Sequence, residues 1–327
     1  MGCFINIMIK TNEKLIVILG PTASGKTALS IKLAKKFNGE IISADSRQVY
    51  RGLDIGSGKI TKKEMRGIPH HLLDIANPKR KFTVAQFQKL ALKKIKEIQR
   101  RSKLPFLVGG TGFYIQSIVD DLVIPEVKPD WKLRKKLEKK STEELFLVLK
   151  KLDPRRAKSI DPKNPRRLIR AIEIIKATGK PVPTPCSHSR ECEHGVLQIG
   201  IKKSPEELKK AIQKRLEKRL KQGLVAEIKK LHKNGLSWKR LEELGLEYRF
   251  VAQYLQGKFN DPEMNGKIQP VKYRKAVISP EAKLFDRLKK ESEHFAKRQM
   301  MWFKRDKRIV WVKHYKEAEK LIQLNNF

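Results

Sequence analysis

The sequence predicts an α/β fold built on a parallel sheet, on three grounds. Over the first third of the chain, the strand-length apolar runs KLIVILG, EIIS and LPFLVG alternate with the helical runs ALSIKLAKKF and VAQFQKLALKKIKEIQRR. Such alternation places helices on the faces of parallel strands. The first strand then leads directly into GPTASGKT, Gly20 to Thr27, the whole G-x-x-x-x-G-K-[ST] signature in its strand-then-helix setting. Finally, strand patterning stops near Ile124 and returns only with VLQIGI, so a helical segment interrupts the sheet. The expected architecture is a P-loop NTPase-like core over residues 1–125, an all-helical insertion over 126–186, and a return to the core over 187–327 that ends in a helical C-terminal region.

Within the insertion, WKLRKKLEKK, STEELFLVLKKLD and NPRRLIRAIEIIKATGK read as helices separated at Pro129, Pro154, Pro162 and Pro165. Ser141 with Glu144 three residues on forms a capping box, and Gly179 followed by Lys180-Pro181 is a helix stop. After the polar loop PVPTPCSHSRECEHG, VLQIGI is the returning strand, and Ser204-Pro205-Glu206-Glu207 opens a long helix with a second capping box and proline at its first position. Helices continue to about Arg308, and IVWV makes a last short strand.

A chain of 327 residues, 39% hydrophobic, can bury a core without covalent staples. Its 74 Lys and Arg against 35 Asp and Glu give a formal charge of +39, a field that attracts polyanions, nucleic acid foremost. The excess concentrates in the insertion, where Glu126 to Cys186 carry 18 basic and 8 acidic residues. Three cysteines cannot form a disulfide framework in a chain of this size and suit a reducing compartment. The opening MGCFINIMIK is too weakly apolar for a signal peptide or a membrane span, and Asn6 stands where a myristoylation pattern needs Ser or Thr. A cytoplasmic protein is expected, with no membrane partner and nothing that demands more than a monomer.

The backbone N–H groups of Gly20, Pro21, Thr22, Ala23, Ser24, Gly25, Lys26 and Thr27, proline excepted, make a cradle for a di- or triphosphate at a helix N-terminus. Lys26 reaches the outer phosphate and Thr27 is placed to ligate Mg²⁺. A phosphoryl-transfer enzyme of this class also needs a strand-terminal Asp for the metal, yet LPFLVG ends in Gly109-Gly110-Thr111-Gly112. Asp45 follows EIIS, at the strand end where an open α/β sheet keeps its chemistry; a carboxylate there binds magnesium, accepts a proton or merely caps a turn.

Six blocks, in order, resemble the tRNA dimethylallyltransferases: GPTASGKT, ADSRQVYRGLDIGSGK, GIPHHLLDI, LVGGTGFY, NPRRLIRAIE and AKRQMMWFKRD. The likeness runs from about Lys14 to Trp311. It implies that the loop grips the diphosphate of dimethylallyl diphosphate, which leaves as the allylic carbon is captured by N6 of adenosine 37 beside a tRNA anticodon. The absent strand-terminal Asp is then understandable, since no phosphoryl group moves. By the resemblance Arg215 is a second positive clamp and Asp45 the general base on N6, with Lys26 and Thr27 completing the catalytic set. Contacts to the tRNA anticodon stem-loop are implied for Asp45, Ser46, Arg47, Gln48 and Thr111 near the target base, and for Arg134, Arg166, Arg167, Leu168, Ile169 and Arg170 in the insertion. They are implied as well for Tyr248, Arg249, Lys297, Arg298, Gln299, Trp302 and Lys304. Two departures stand out: Ala211 replaces an Arg that the family often carries four residues before Arg215, and Leu246-Glu247 intrude between Gly245 and Tyr248.

In the last long helix Leu288, Phe295 and Trp302 recur every seven residues and are expected in the core, with Lys290, Lys297 and Lys304 roughly opposite. Cys186, His188, Cys192 and His194 lack a C-x₂₋₄-C hook and are not read as a zinc site. His70 and His71 are adjacent in an extended segment, point opposite ways and are not read as a shared metal site. Two other activities remain open from the residues: a prenyltransferase for free adenine nucleotides, which needs no basic insertion, and a P-loop kinase or ATPase with RNA affinity, which needs ATP.

Overall fold

The computed structural model describes residues 14–183, 195–258 and 279–327. Six parallel strands form one sheet: β1 Leu15–Leu19, β2 Gly39–Ala44, β3 His70–His71, β4 Leu104–Gly109, β5 Val196–Ile201 and β6 Val310–Val312, in the order β3-β2-β4-β1-β5-β6. One of the two central strands, β1, reads LIVIL and is buried at every position, as a strand covered on both faces must be. Its neighbours are β4, with Val17 opposite Leu107, and β5, with Val17 opposite Gln198. Register fixes the chemistry: Ala44 pairs with Gly109 and Leu19 with both Gly109 and Gly200, so the carboxyl ends of β1, β2 and β4 lie side by side.

Between strands run α1 Lys26–Lys36, α2 Lys62–Met65 and α3 Val84–Arg100. A short α4, Gly112–Val119, follows β4. The described residues 116–183 form one compact unit and the rest of the described chain another. In the former, α5 Trp131–Leu137, α6 Thr142–Leu152, α7 Pro154–Ser159 and α8 Pro165–Thr178 enclose a core of Leu145, Leu149, Leu168, Ile172 and Ile175. The capping box of Ser141 and Glu144 forms as expected, and Gly179 ends α8 in the left-handed conformation.

In the larger unit β5 leads to α9 Pro205–Lys221, which starts with the Ser204–Glu207 box, then α10 Leu224–Lys233, α11 Trp238–Leu244 and α12 Leu246–Leu255. The chain closes with α13 Pro280–Phe303, β6 and α14 Tyr315–Leu324. One apolar cluster, including Ile16, Ile18, Leu33, Phe106 and Ile199, joins the sheet to α1 and α14. A second, including Leu216, Leu241, Val251 and Leu288, packs the C-terminal helices. The two-residue β3, α2, α4 and α14 went unread in the sequence, being short or, for α14, carried by a run of charged residues. Among the described residues no helix is long and apolar enough to cross a membrane. Cys186, His188, Cys192 and His194 lie outside the described residues.

Candidate active site

The carboxyl ends of β1, β2 and β4 open into a cavity of about 770 Å³. The phosphate loop forms its floor: Thr22 to Thr27 all line it, and the loop turns into α1 through Gly25, at φ 95°. Lys26 folds back over the loop, its Nζ donating to the carbonyls of Gly20 at 2.9 Å and Pro21 at 2.7 Å. Those carbonyls hold the ammonium against the cradle.

From α9, Arg215 reaches the same floor and donates a hydrogen bond to Thr22 Oγ1. Burial, reinforced by the charge of Arg215, pushes the Lys26 ammonium down to about 7, with Asp45 opposing the shift. Arg215 itself is pushed down to about 9 by burial and by Arg219, with Glu247 and Asp45 pulling the other way. Two cations thus share a low-dielectric wall at an electrostatic cost, which an incoming polyanion relieves.

Asp45 lines the cavity at the end of β2. Its Oδ1 accepts from the backbone N–H of Arg47 at 2.8 Å and of Gln48 at 3.3 Å, an Asx turn that fixes the carboxylate and satisfies one oxygen. The turn is held by Thr111, just after β4, whose Oγ1 accepts from the Ser46 N–H at 3.0 Å. Gln48 reaches over the cavity, accepting from Ser43 Oγ at 3.1 Å and donating to the Gly58 carbonyl at 3.2 Å. The rim at Asp54, Ile55 and Gly56 is fastened by Glu227, whose carboxylate accepts from all three backbone N–H groups at 2.6 to 3.0 Å.

For a magnesium ion, the chain offers the Thr27 hydroxyl and the Asp45 carboxylate beside the cradle. Among the described residues there is no cluster of three His, Cys, Asp or Glu. That donor set fits Mg²⁺, which retains waters and takes one or two protein oxygens together with substrate phosphates.

Several expected RNA contacts have other duties. Tyr248 is 1% exposed; its hydroxyl donates to Glu227 Oε1 and accepts from the Ser57 N–H, so it braces the cavity rim and cannot meet RNA. Leu168 and Ile169 are likewise core residues, because α8 turns that face inward. Gln299 is buried: its Oε1 accepts from the Thr22 N–H and its Nε2 donates to the Gly110 carbonyl, both at 2.8 Å. It is a strut between the loop and the end of β4, and Gly110 is glycine because a Cβ there would collide with Gln299 Nε2. Trp302 is half-buried over Gly112 with Phe113 edge-on at 6.4 Å, and Phe295 is half-buried at the cavity wall; the full core stripe of α13 is Leu284, Leu288, Ser292, Ala296, Gln299 and Phe303. Arg47 donates to the Ser46 and Leu244 carbonyls and anchors the turn.

Arg134 and Arg170 both bond Glu173, which is 1% exposed, and Arg170 also donates to the Val127 carbonyl. Burial raises the Glu173 carboxyl, but the hydrogen bonds from Arg134, Arg170 and the Asp130 N–H outweigh it and bring it to about 2. Arg166, Arg167, Arg249, Lys297, Arg298 and Lys304 are exposed, as is Lys290. Sequence reasoning missed Lys218, Arg219 and Gln222, which line the cavity with Arg215; the signal was helical spacing from Arg215 along RLEKRLKQ.

A family model described as IPP transferase matches residues 48–306, from just after Asp45 to the end of the AKRQ helix. The chain belongs to the IPP transferase family. Among curated members of the family, the tRNA dimethylallyltransferase of Carboxydothermus hydrogenoformans is 40% identical, covering 97% of this chain and 99% of its own. That of Halalkalibacterium halodurans is 39% identical over 96% of each. Solved IPP transferase structures agree: the full-length tRNA isopentenylpyrophosphate transferase from Bacillus halodurans superimposes with a TM-score of 0.65 at 37% identity, covering 96% of this chain and 95% of that one. A eukaryotic dimethylallyltransferase acting on tRNA gives 0.71 at 28% identity over 96% and 79%.

Proposed function

We propose that this enzyme transfers a dimethylallyl group from dimethylallyl diphosphate to N6 of adenosine 37 in tRNA and releases diphosphate. The observation that carries the reading is one cavity in which a phosphate cradle, two half-buried cations and a turn-fixed carboxylate converge. The family's tRNA-acting members supply the nucleophile's identity.

The loop N–H groups other than that of Thr22, which Gln299 holds, bind the diphosphate together with Lys26 and Arg215. As the allylic C–O bond breaks, its electron pair goes to the diphosphate oxygen, and these donors meet the charge that develops there. Mg²⁺, held through Thr27, would neutralise further charge on the phosphate oxygens. The adenine amine forms the new C–N bond and its proton passes to the free oxygen of Asp45, a base already oriented by the Arg47 and Gln48 N–H groups. The amine is a poor nucleophile because its lone pair is delocalised, so orientation and proton removal must act together.

Extruding the base costs roughly a few kcal/mol of unstacking. Contacts to the anticodon stem-loop supply it, from Arg166 and Arg167 on α8 and from Lys297, Arg298 and Lys304 on the exposed face of α13. A cytoplasmic monomer suits such a substrate and a chain with only three cysteines.

The test is incubation of the purified chain with unmodified tRNA, Mg²⁺ and dimethylallyl diphosphate, followed by mass analysis of nucleosides. An isopentenyl-adenosine product is expected. ATP hydrolysis without any modified nucleoside would overturn the reading, and product on free adenine nucleotides alone would reassign the acceptor.

A further inference from the structure

The cavity wall contributed by α9 carries more charge than the mechanism above uses. Ala211, Arg215, Lys218, Arg219 and Gln222 line it, at the spacing of one helix face, while Ile212 and Leu216 turn into the core. Ala211 offers only a methyl group. One turn beyond Arg215, Arg219 is 6% exposed, yet it borders the cavity.

Its position is over-determined. Arg219 Nη1 donates to Glu247 Oε1, and both side chains of this ion pair are buried. Glu247 is aimed at it by a strained turn: Leu246, just before it, holds φ at +37°, a left-handed conformation rare for a branched side chain. On the other side the guanidinium lies over Gly58. That residue has φ +63°, and a Cβ there would collide with Arg219 Nη2. The Gly58 carbonyl is in turn bonded by Gln48, three residues after Asp45.

A buried ion pair of this kind confers little stability that apolar residues of the same volume would not. Its placement also works against Arg215, whose charge it disfavours. A buried guanidinium added to a cavity already lined by Lys26, Arg215 and Lys218 is explained by an anion with more than one charge in the cavity. Glu247 accepts from Nη1 alone, and the Arg219 side chain also lines the cavity.

We propose that Arg219 is a second diphosphate-binding guanidinium of this enzyme, working with Arg215 and held ready by Glu247. The proposal rests on the reading that the cavity takes an allylic diphosphate. Arg219 grips the same group in substrate and in product, and no proton or covalent bond passes through it.

The test titrates inorganic diphosphate, with Mg²⁺, into the full chain by calorimetry, for wild type and for the double variant Arg219→Gln/Glu247→Gln. The paired change removes both charges together, so it leaves no buried carboxylate alone and the net charge unaltered. Diphosphate affinity is expected to fall about 10- to 100-fold, the worth of a charge-assisted hydrogen bond. KM for dimethylallyl diphosphate should rise in step, with KM for tRNA unchanged, a split that a general loosening of the fold would not produce. Binding within threefold of wild type overturns the proposal.

Circular dichroism checks the fold of the double variant. Should it not fold, Glu247→Gln alone decides. Glutamine still accepts from Arg219 Nη1 but no longer offsets its charge, so diphosphate should bind about 3- to 10-fold more tightly, and unchanged or weaker binding overturns the proposal. A wild-type chain that binds no diphosphate at all would instead remove the prenyl-transfer reading itself.

Discussion

The Gln299 side chain accepts a hydrogen bond from the Thr22 N–H at 2.8 Å, across 277 residues of sequence. Its Nε2 also donates to the Gly110 carbonyl, so one buried amide sets the spacing between the phosphate loop and the end of β4. Gln299→Ala should leave the buried Gly110 carbonyl without a partner, at a cost of about 1–3 kcal/mol, and free the part-buried Thr22 N–H. The expected result is a lower unfolding temperature and a raised KM for dimethylallyl diphosphate, measured by thermal melts and steady-state kinetics. An unchanged KM would mean that the loop keeps its shape without the strut.

Asp45→Asn separates the two duties of that residue. Asparagine keeps an oxygen for the Arg47 and Gln48 N–H groups, so the turn should survive. The base is lost, and kcat should fall about 10²- to 10⁴-fold. tRNA affinity, measured by filter binding, should stay within a few-fold of wild type.

With Lys26 pushed down to about 7 in the ligand-free cavity, diphosphate binding is coupled to protons. The anion prefers the ammonium, so the bound-state pKa is higher than the free one. Affinity is therefore greatest below pH 7 and weakens as pH rises through that value. Near pH 8 binding should take up about one proton, read from calorimetry in buffers of different ionisation enthalpy. Lys26→Met should bind more weakly and lose that uptake; retained uptake would place the proton elsewhere.

The helical unit has its own acid response. Glu173 is held at about 2 in the folded chain, below the ordinary glutamate value near 4.3. A depressed carboxyl stabilises the fold above its unfolded pKa, and that contribution is lost as pH falls from about 5 towards 2. It amounts to about 2 kcal/mol after allowance for the partly exposed arginines. Denaturant titrations at pH 6 and pH 3 should show the loss, and Glu173→Gln should remove most of the difference.

Arg166→Ala and Lys304→Ala should each raise KM for tRNA and leave KM for dimethylallyl diphosphate alone. If each side chain meets a phosphate, the slope of log affinity against log salt should fall by about one per substitution. A slope that does not move would take that residue off the RNA surface.

Much of this was readable in the sequence because it is local. LIVIL, GPTASGKT and the Ser141 and Ser204 boxes act within a few residues, and each stands where its spacing put it. Tyr248 and Leu168 misled because a motif records which residues recur together, not which way they face. Arg219 and the duty of Gln299 were hidden for another reason: their partners, Glu247 and Thr22, lie 28 and 277 residues away, and only the folded chain brings them together.

The sheet has a consequence for biosynthesis. During synthesis β1 must wait for β5, some 180 residues later, before its second edge is covered, and the phosphate loop gains its Thr22 partner only when residue 299 has emerged. Such distant pairings are slow to close and leave strand edges open meanwhile. A nascent chain released short of α13 would therefore carry every residue of the GPTASGKT motif and still be a chaperone client rather than an enzyme.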